Sequence, residues 1–260
     1  MAVFLYPTFK ELFMSDSPSS NNARTDSRIV ETNQQGLHER LDEIVQKHLA
    51  GPFRKPFHDS TVEAFYRLKE AWQADGRPLI LDSCCGVGES TVNLAERHPD
   101  AFILGLDKSG CRIEKHDSYR RTADNYLLAR VDLNDFWRLA VADGWRPTHH
   151  YILYPNPWPK ATHIKRRWHG APVFPYLLML GGQLQMRSNF PLYLQEFQRA
   201  LEVAGLAGEF SQLTFDGSDG NNMDITPFER KYRLSGQPLY RLDADLTGFD
   251  LKWREALTLP

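Results

Sequence analysis

Between positions 79 and 157 a series of short apolar runs each breaks off in a polar residue. Leu79-Ile80-Leu81 runs into Asp82, the run at 102–106 into Asp107, the run at 126–131 into Asp132, and the run at 150–154 into Pro155-Asn156-Pro157. The stretches between them have helical spacing. Strands separated by helices cannot be joined as hairpins, so they lie parallel and are linked by right-handed crossovers. The chain is therefore expected to fold as an α/β protein with a doubly wound, mostly parallel sheet. A further strand near 183–186, a helix over Pro191–Val203 and closing strands at 209–215 and 237–243 bring the count to seven. Two helices precede the sheet: Leu41, Ile44, Val45 and Leu49 recur at helical spacing, and so do Val62, Phe65, Tyr66 and Trp72.

A chain of 260 residues with 42% hydrophobic and 25% charged residues has enough material for one large core, and its apolar runs are too short to span a bilayer. Membrane proteins are excluded on this reading. Three cysteines, Cys84, Cys85 and Cys111, without CxxC spacing suggest neither a disulfide framework nor a metal site. The N-terminus MAVFLYPTFKELFM has no basic region ahead of an apolar stretch, so a cytoplasmic protein is expected. Residues 15–35 are nearly devoid of apolar side chains and cannot offset their ordering entropy by burial. Residues 1–35 thus read as a mobile arm, and 36–260 as one domain that includes the two leading helices. Nothing in the sequence bears on oligomeric state.

In sheets of this kind ligands bind beyond the carboxyl ends of the strands, where the strand order reverses. The turn with Gly86 and Gly88, together with Asp107, Asp132 and the Asn156 loop, falls there. The glycines permit close backbone approach, and Asp107, nineteen positions beyond Gly88, can accept hydrogen bonds from both ribose hydroxyls. This is an adenosine-site pattern, and nicotinamide cofactors share its acid. The chain lacks both the dinucleotide GxGxxG spacing and a GxxxxGK[ST] phosphate loop, however. S-adenosylmethionine carries no phosphate, and Asp82 stands where it can attract the ammonium of that cofactor's amino-acid tail. A glycine turn with helix-capping acids is the plainer alternative for each residue taken alone.

Between Asp143 and Glu196 there are 52 residues without Asp or Glu, in which Arg146, Lys160, Lys165, Arg166, Arg167 and Arg187 contribute +6. The chain as a whole is at −2, so the remainder is at −8. A local positive field on an acidic body, with Trp158 and Trp168 interleaved, suits RNA: cations for phosphates and rings for bases. A solvated basic turn is the alternative.

The run Tyr154-Pro-Asn-Pro-Trp-Pro-Lys160-Ala-Thr-His-Ile-Lys165-Arg-Arg167 resembles the FPDPWxKxRHxKRR signature of the tRNA (guanine-N7)-methyltransferase family, TrmB in bacteria. Thr226-Pro-Phe-Glu229-Arg-Lys is similar to that family's T-K-F-E-x-[RK] box. The resemblance implies a Rossmann-like methyltransferase fold, with S-adenosylmethionine held by Asp82, Gly86, Gly88, Asp107 and Asp132. It implies that Trp158, Lys160, Asn189, Thr226 and Glu229 border the substrate guanosine, and that Thr162, His163, Lys165, Arg166 and Arg167 lie against tRNA. Asn156 takes the position of the family's aspartate in PDPW and is the catalytic candidate. Ser188-Asn189 replaces Thr-Asp, and Cys84 stands at the first glycine of the nucleotide turn. Cys84 and Cys85 read as packing residues, with a nucleophile as the sharper alternative. Three functions follow: a tRNA guanine-N7 methyltransferase, a TrmB-like enzyme retargeted to another nucleotide or small substrate, or an RNA-binding partner protein that has lost transfer.

Overall fold

The structure is a computed structural model, and it describes residues 27–119, 121–215 and 224–260. Helices α1 (Leu41–Leu49) and α2 (Asp59–Asp75) lead into the alternation β1 (Leu79–Ser83), α3 (Glu89–Arg97), β2 (Phe102–Asp107), α4 (Gly110–Ile113), β3 (Tyr126–Arg130), α5 (Leu133–Ala142) and β4 (His149–Leu153). The chain continues through α6 (Phe174–Met179), β5 (Gln183–Ser188), α7 (Pro191–Val203), β6 (Glu209–Gln212), α8 (Pro227–Leu234) and β7 (Tyr240–Asp245). The seven strands are ordered β3-β2-β1-β4-β5-β7-β6, the first five parallel and β7 antiparallel to both its neighbours. The order reverses between β1 and β4, as the alternation requires of a doubly wound sheet.

Strands β1 and β2 are buried along their whole length because helices cover both faces. The period of two then divides their side chains. Leu79 and Leu81 of β1 and Phe102, Leu104 and Leu106 of β2 enter the large core under α1, α2, α5, α6 and α7, while Ile80 and Ile103 enter a smaller one against α3. Helix boundaries follow local chemistry. Gly76 ends α2 in a left-handed conformation, Asp132 caps α5 by accepting from the Asn134 amide at 3.0 Å, and Pro191 opens α7.

The closing strands depart from expectation. β7 starts at Tyr240 rather than 237, because the Gln237 amide bonds Tyr232 O at the end of α8 and its side chain donates to Ser27 O. The arm expected at 1–35 divides at the limit of the described residues, with 1–26 outside them. Residues 27–35 are bonded to the body: Ser27 to Ser235, Thr32 to Pro159 O, and Asn33 to the Ala161 amide. Polar composition led to the expectation of an arm there, but these contacts are hydrogen bonds to loops and need no apolar burial. No helix among the described residues is long and apolar enough to cross a membrane.

Candidate active site

A cleft of about 490 Å³ opens at the carboxyl ends of β1 to β5. One wall carries Cys84, Asp107, Lys108 and Asp132, and the other carries Tyr154, Asn156, Trp158, Arg166 and Asn189. The switch point thus brings six of the candidates read from sequence into one concavity: Asp107, Asp132, Asn156, Trp158, Arg166 and Asn189. Among the described residues, the non-glycine positions with positive φ are Cys84 (69°), Tyr154 (51°) and Trp158 (44°), and all three line this cleft. Such conformations cost energy and persist where the surroundings enforce them, most often at functional sites.

The first wall is organised by carboxylates. Asp107 accepts from the Gly86 amide at 3.0 Å and from the Ser109 amide at 2.7 Å, which ties the β1 turn to the end of β2. Asp132 accepts from Asn134 and from Lys108 Nζ at 2.9 Å. Burial works to raise the Asp132 carboxyl, but these bonds outweigh it and hold the group below the usual range. Each carboxylate offers about four acceptor positions, so both keep capacity for a ligand. Asp82 lies fully buried behind the turn, where Oδ2 accepts from Ser90 and Thr91 and Oδ1 has no partner. Burial pushes its carboxyl up to about 6, against the two hydroxyl bonds. A cationic group at that orphaned oxygen would offset the cost of burying the Asp82 carboxylate.

The two turn glycines have different roles. A Cβ on Gly86 would meet nothing within 4 Å, so the backbone there is open to close approach. A Cβ on Gly88 would lie 2.6 Å from Leu128 and 2.7 Å from His116. Packing and the positive φ of 79° at the start of α3 thus account for a glycine at 88 apart from any ligand. Burial, with Asp107 nearby, pushes the Cys84 thiol up to about 12, and that of Cys85 also rises. Both shifts disfavour the thiolate a nucleophile would need, and the two side chains pack inward, Cys84 against the large core and Cys85 buried.

The opposite wall is a stiff loop. Asn156, exposed between two prolines, accepts from the Trp158 amide at 3.3 Å, Arg166 stacks over the Trp158 ring at 4.6 Å, and His163 meets the ring edge-on at 5.6 Å. Lys160, Thr162 and Lys165 are exposed on the outer side of the turn that follows. Arg167 is not. It is fully buried, pairs with Glu196, and donates to Trp158 O at 3.0 Å and to Gln34 Oε1 at 3.2 Å. The RNA role expected for Arg167 is corrected accordingly: it is the internal brace of the loop. Glu196 also accepts from Gln34, from the His38 amide at 2.9 Å and from His169 at 3.1 Å. Burial opposes ionisation of Glu196, yet its bonds with His169, Gln34 and Arg167 bring the carboxyl down to about 2.

Thr226 and Glu229 do not line the cleft. Thr226 caps α8 by accepting from the Glu229 amide at 2.9 Å, and Glu229 is buried in an ion pair with Arg187 at 2.7 Å, its carboxyl raised by burial against the pull of that arginine. Their helix contributes Phe228 and Tyr232 to the cleft instead. Sequence reading missed these two rings, although their spacing of four along a helix marks one face. It also missed Gln34 and Glu196. Glu196 did leave a signal, as the acid that ends the 52-residue acid-free stretch.

This strand order, with an acid at the end of each of the first strands and a shared cleft at the switch point, defines a Rossmann-like methyltransferase fold. Residues 76–242 match the family described as "Putative methyltransferase", and the chain belongs to that family. It is 28% identical over 191 residues to a tRNA (guanine-N(7)-)-methyltransferase of Bacillus licheniformis, which covers 69% of this chain and 87% of the relative. It is 24% identical over 189 residues to the protein of that name from Lysinibacillus sphaericus, covering 68% and 85%. The crystal structure of the 16S rRNA methyltransferase KamB superposes with a TM-score of 0.50 at 14% identity, covering 75% of this chain and 97% of that one, a likeness of fold.

Proposed function

We propose that the protein transfers the methyl group of S-adenosylmethionine to N7 of a guanosine in tRNA. The observation that carries this reading is the shared cleft: the carboxylate wall of Asp107 and Asp132 faces the Tyr154-to-Trp158 loop across one cavity, and the basic turn with Arg166 forms its mouth. When bound, S-adenosylmethionine supplies a methyl on a sulfonium, a leaving group that needs no activation. The chain's residues fit that cofactor: Asp82 has an orphaned buried oxygen for its ammonium, and Gly86 leaves room above the backbone. Asp107 has acceptor capacity for its ribose and Asp132 for its adenine edge.

Guanine N7 has a lone pair and no proton, so the reaction needs no general base, and positioning with charge stabilisation does the work. Trp158 and Tyr232 offer ring faces to a base, while Asn156 and Asn189 offer amides rather than carboxylates. Arg166, Lys165, Thr162 and Lys160 would meet the RNA backbone. The names of the curated relatives support tRNA as the substrate.

One observation favours the second reading, retargeting to another nucleotide. On the loop wall the side chains lining the cleft include no carboxylate, since Glu229 lies behind it with Arg187. A cationic N7-methylguanine would therefore meet amides. Incubation with methyl-labelled S-adenosylmethionine and bulk tRNA, followed by nucleoside mass spectrometry, decides between them. N7-methylguanosine supports the main reading, another labelled nucleoside the second, and binding of tRNA without label refutes both in favour of a partner protein.

A further inference from the structure

A second concavity, about 530 Å³, lies between α1, the connection at 51–54 and the basic turn. Its floor is apolar, formed by Ile44, Phe53 and Pro172, and its rim is cationic, with Lys47, Arg54 and Lys165 exposed. The acid on this rim, Glu43, is taken by Arg40 at 2.7 Å. Lys47, Arg54 and Lys165 have no carboxylate within 4 Å among the described residues. Three cations without an ion-pair partner among the described residues thus surround a groove in a chain whose overall charge is −2.

The groove adjoins the cleft. Lys165 lines the groove and its neighbour Arg166 lines the cleft, stacked on Trp158, so a single turn of chain forms the boundary between the two. We propose that this groove holds a second stretch of the tRNA backbone, with phosphates on Lys47, Arg54 and Lys165 and sugar or base faces on the apolar floor. The proposal rests on tRNA being the substrate. Rim cations and an apolar floor match a polyanion that carries planar rings. An acidic protein segment shares only the charge, and the position beside the Trp158 mouth favours the nucleic acid. The groove's role is grip alone: His48, the group in it that could carry protons, is committed to Gly170 O at 3.2 Å and kept neutral by burial.

The test compares the natural chain with Lys47→Ala/Arg54→Ala, two exposed positions outside the cleft. Full-length tRNA and a short stem-loop carrying only the target guanosine are titrated over a range of salt, and cofactor affinity is followed by calorimetry. For full-length tRNA the variant is expected to bind at least tenfold more weakly. The slope of log K against log salt should flatten by about 1.4 to 1.8, at ~0.7–0.9 per phosphate contact. Binding of the stem-loop and of the cofactor should not change, and KM for tRNA should rise with kcat within about twofold. An unchanged slope for full-length tRNA, or an equal loss on the stem-loop, overturns the proposal while leaving the substrate reading intact. A natural chain that binds no tRNA refutes the substrate reading and the groove's role with it. Displacement of groove-bound tRNA by polyglutamate at equal charge concentration, from the natural chain but not from the variant, reassigns the groove to an acidic protein partner.

Discussion

Glu196→Gln tests whether the loop that carries Trp158 and Lys160 is held from within. The substitution keeps the volume and one oxygen acceptor, so the Gln34 and His38 donors retain a partner. The full charge of Arg167, however, is left in a site with no solvent exposure. Removing one partner of a buried ion pair costs about 3–5 kcal/mol. The carboxyl itself leads to a similar figure, since its displacement from 4.5 to about 2 corresponds to about 3–4 kcal/mol at ~1.4 kcal/mol per pH unit. With a urea m-value of ~3 kcal/mol/M or somewhat more for a chain of this size, the unfolding midpoint should fall by about 1–1.5 M at constant m.

The pH dependence has a fixed sign. A carboxylate whose folded pKa is depressed contributes its stability above its unfolded value of 4.5 and loses it as pH falls toward about 2. The natural chain should therefore lose stability across that window, and the variant should lose less. Adding Arg167→Met removes the stranded charge and should recover at least half of the loss. A midpoint within about 0.3 M of the natural chain at pH 7 would show that the pair contributes little, against the expectation for a buried pair. If the brace also positions the loop, KM for tRNA rises in Glu196→Gln while cofactor affinity stays constant. Equal KM values would confine the network to stability.

Three further outcomes are expected. Asp107→Ala should lower S-adenosylmethionine affinity by tenfold or more by calorimetry, the scale of charge-assisted bonds, and a folded variant of undiminished affinity would remove Asp107 from the cofactor site. Asn156→Asp with Asn189→Asp should raise kcat/KM for N7 methylation of tRNA by about tenfold for every ~1.4 kcal/mol of charge stabilisation regained, and equal rates would mean that amides serve the reaction as well as carboxylates. With a thiol alkylating agent near neutral pH, the exposed Cys111 should label first. Cys84, half-buried on the cleft wall, should resist because its thiol is pushed up to about 12, and fast labelling there, read by peptide mass spectrometry, would contradict that shift.

Much of the fold was legible in the sequence because its signals are local. Apolar runs ending in Asp82, Asp107 and Asp132 mark where strands stop, helical spacing lies between them, and Pro191 and Asp132 mark helix starts. Parallel pairing follows, since a crossover helix permits little else. The carboxylate wall of the cleft was legible for the same reason: strand ends in such a sheet converge, which brings Asp107 and Asp132 to one concavity.

The fate of individual side chains was decided by tertiary structure. Arg166 and Arg167 are adjacent and chemically identical, yet one is exposed on Trp158 at the cleft mouth and the other is buried. The difference comes from Glu196, 29 positions away, and Gln34, 133 positions away, which together make burial of a guanidinium tolerable. In the same way Gly88 is required by Leu128 and Glu229 is drawn inward by Arg187. Local sequence sets backbone conformation and the pattern of burial, because both depend on near neighbours. Whether a charge is exposed to solvent or buried in an ion pair depends on what the folded chain brings to it from far along the sequence.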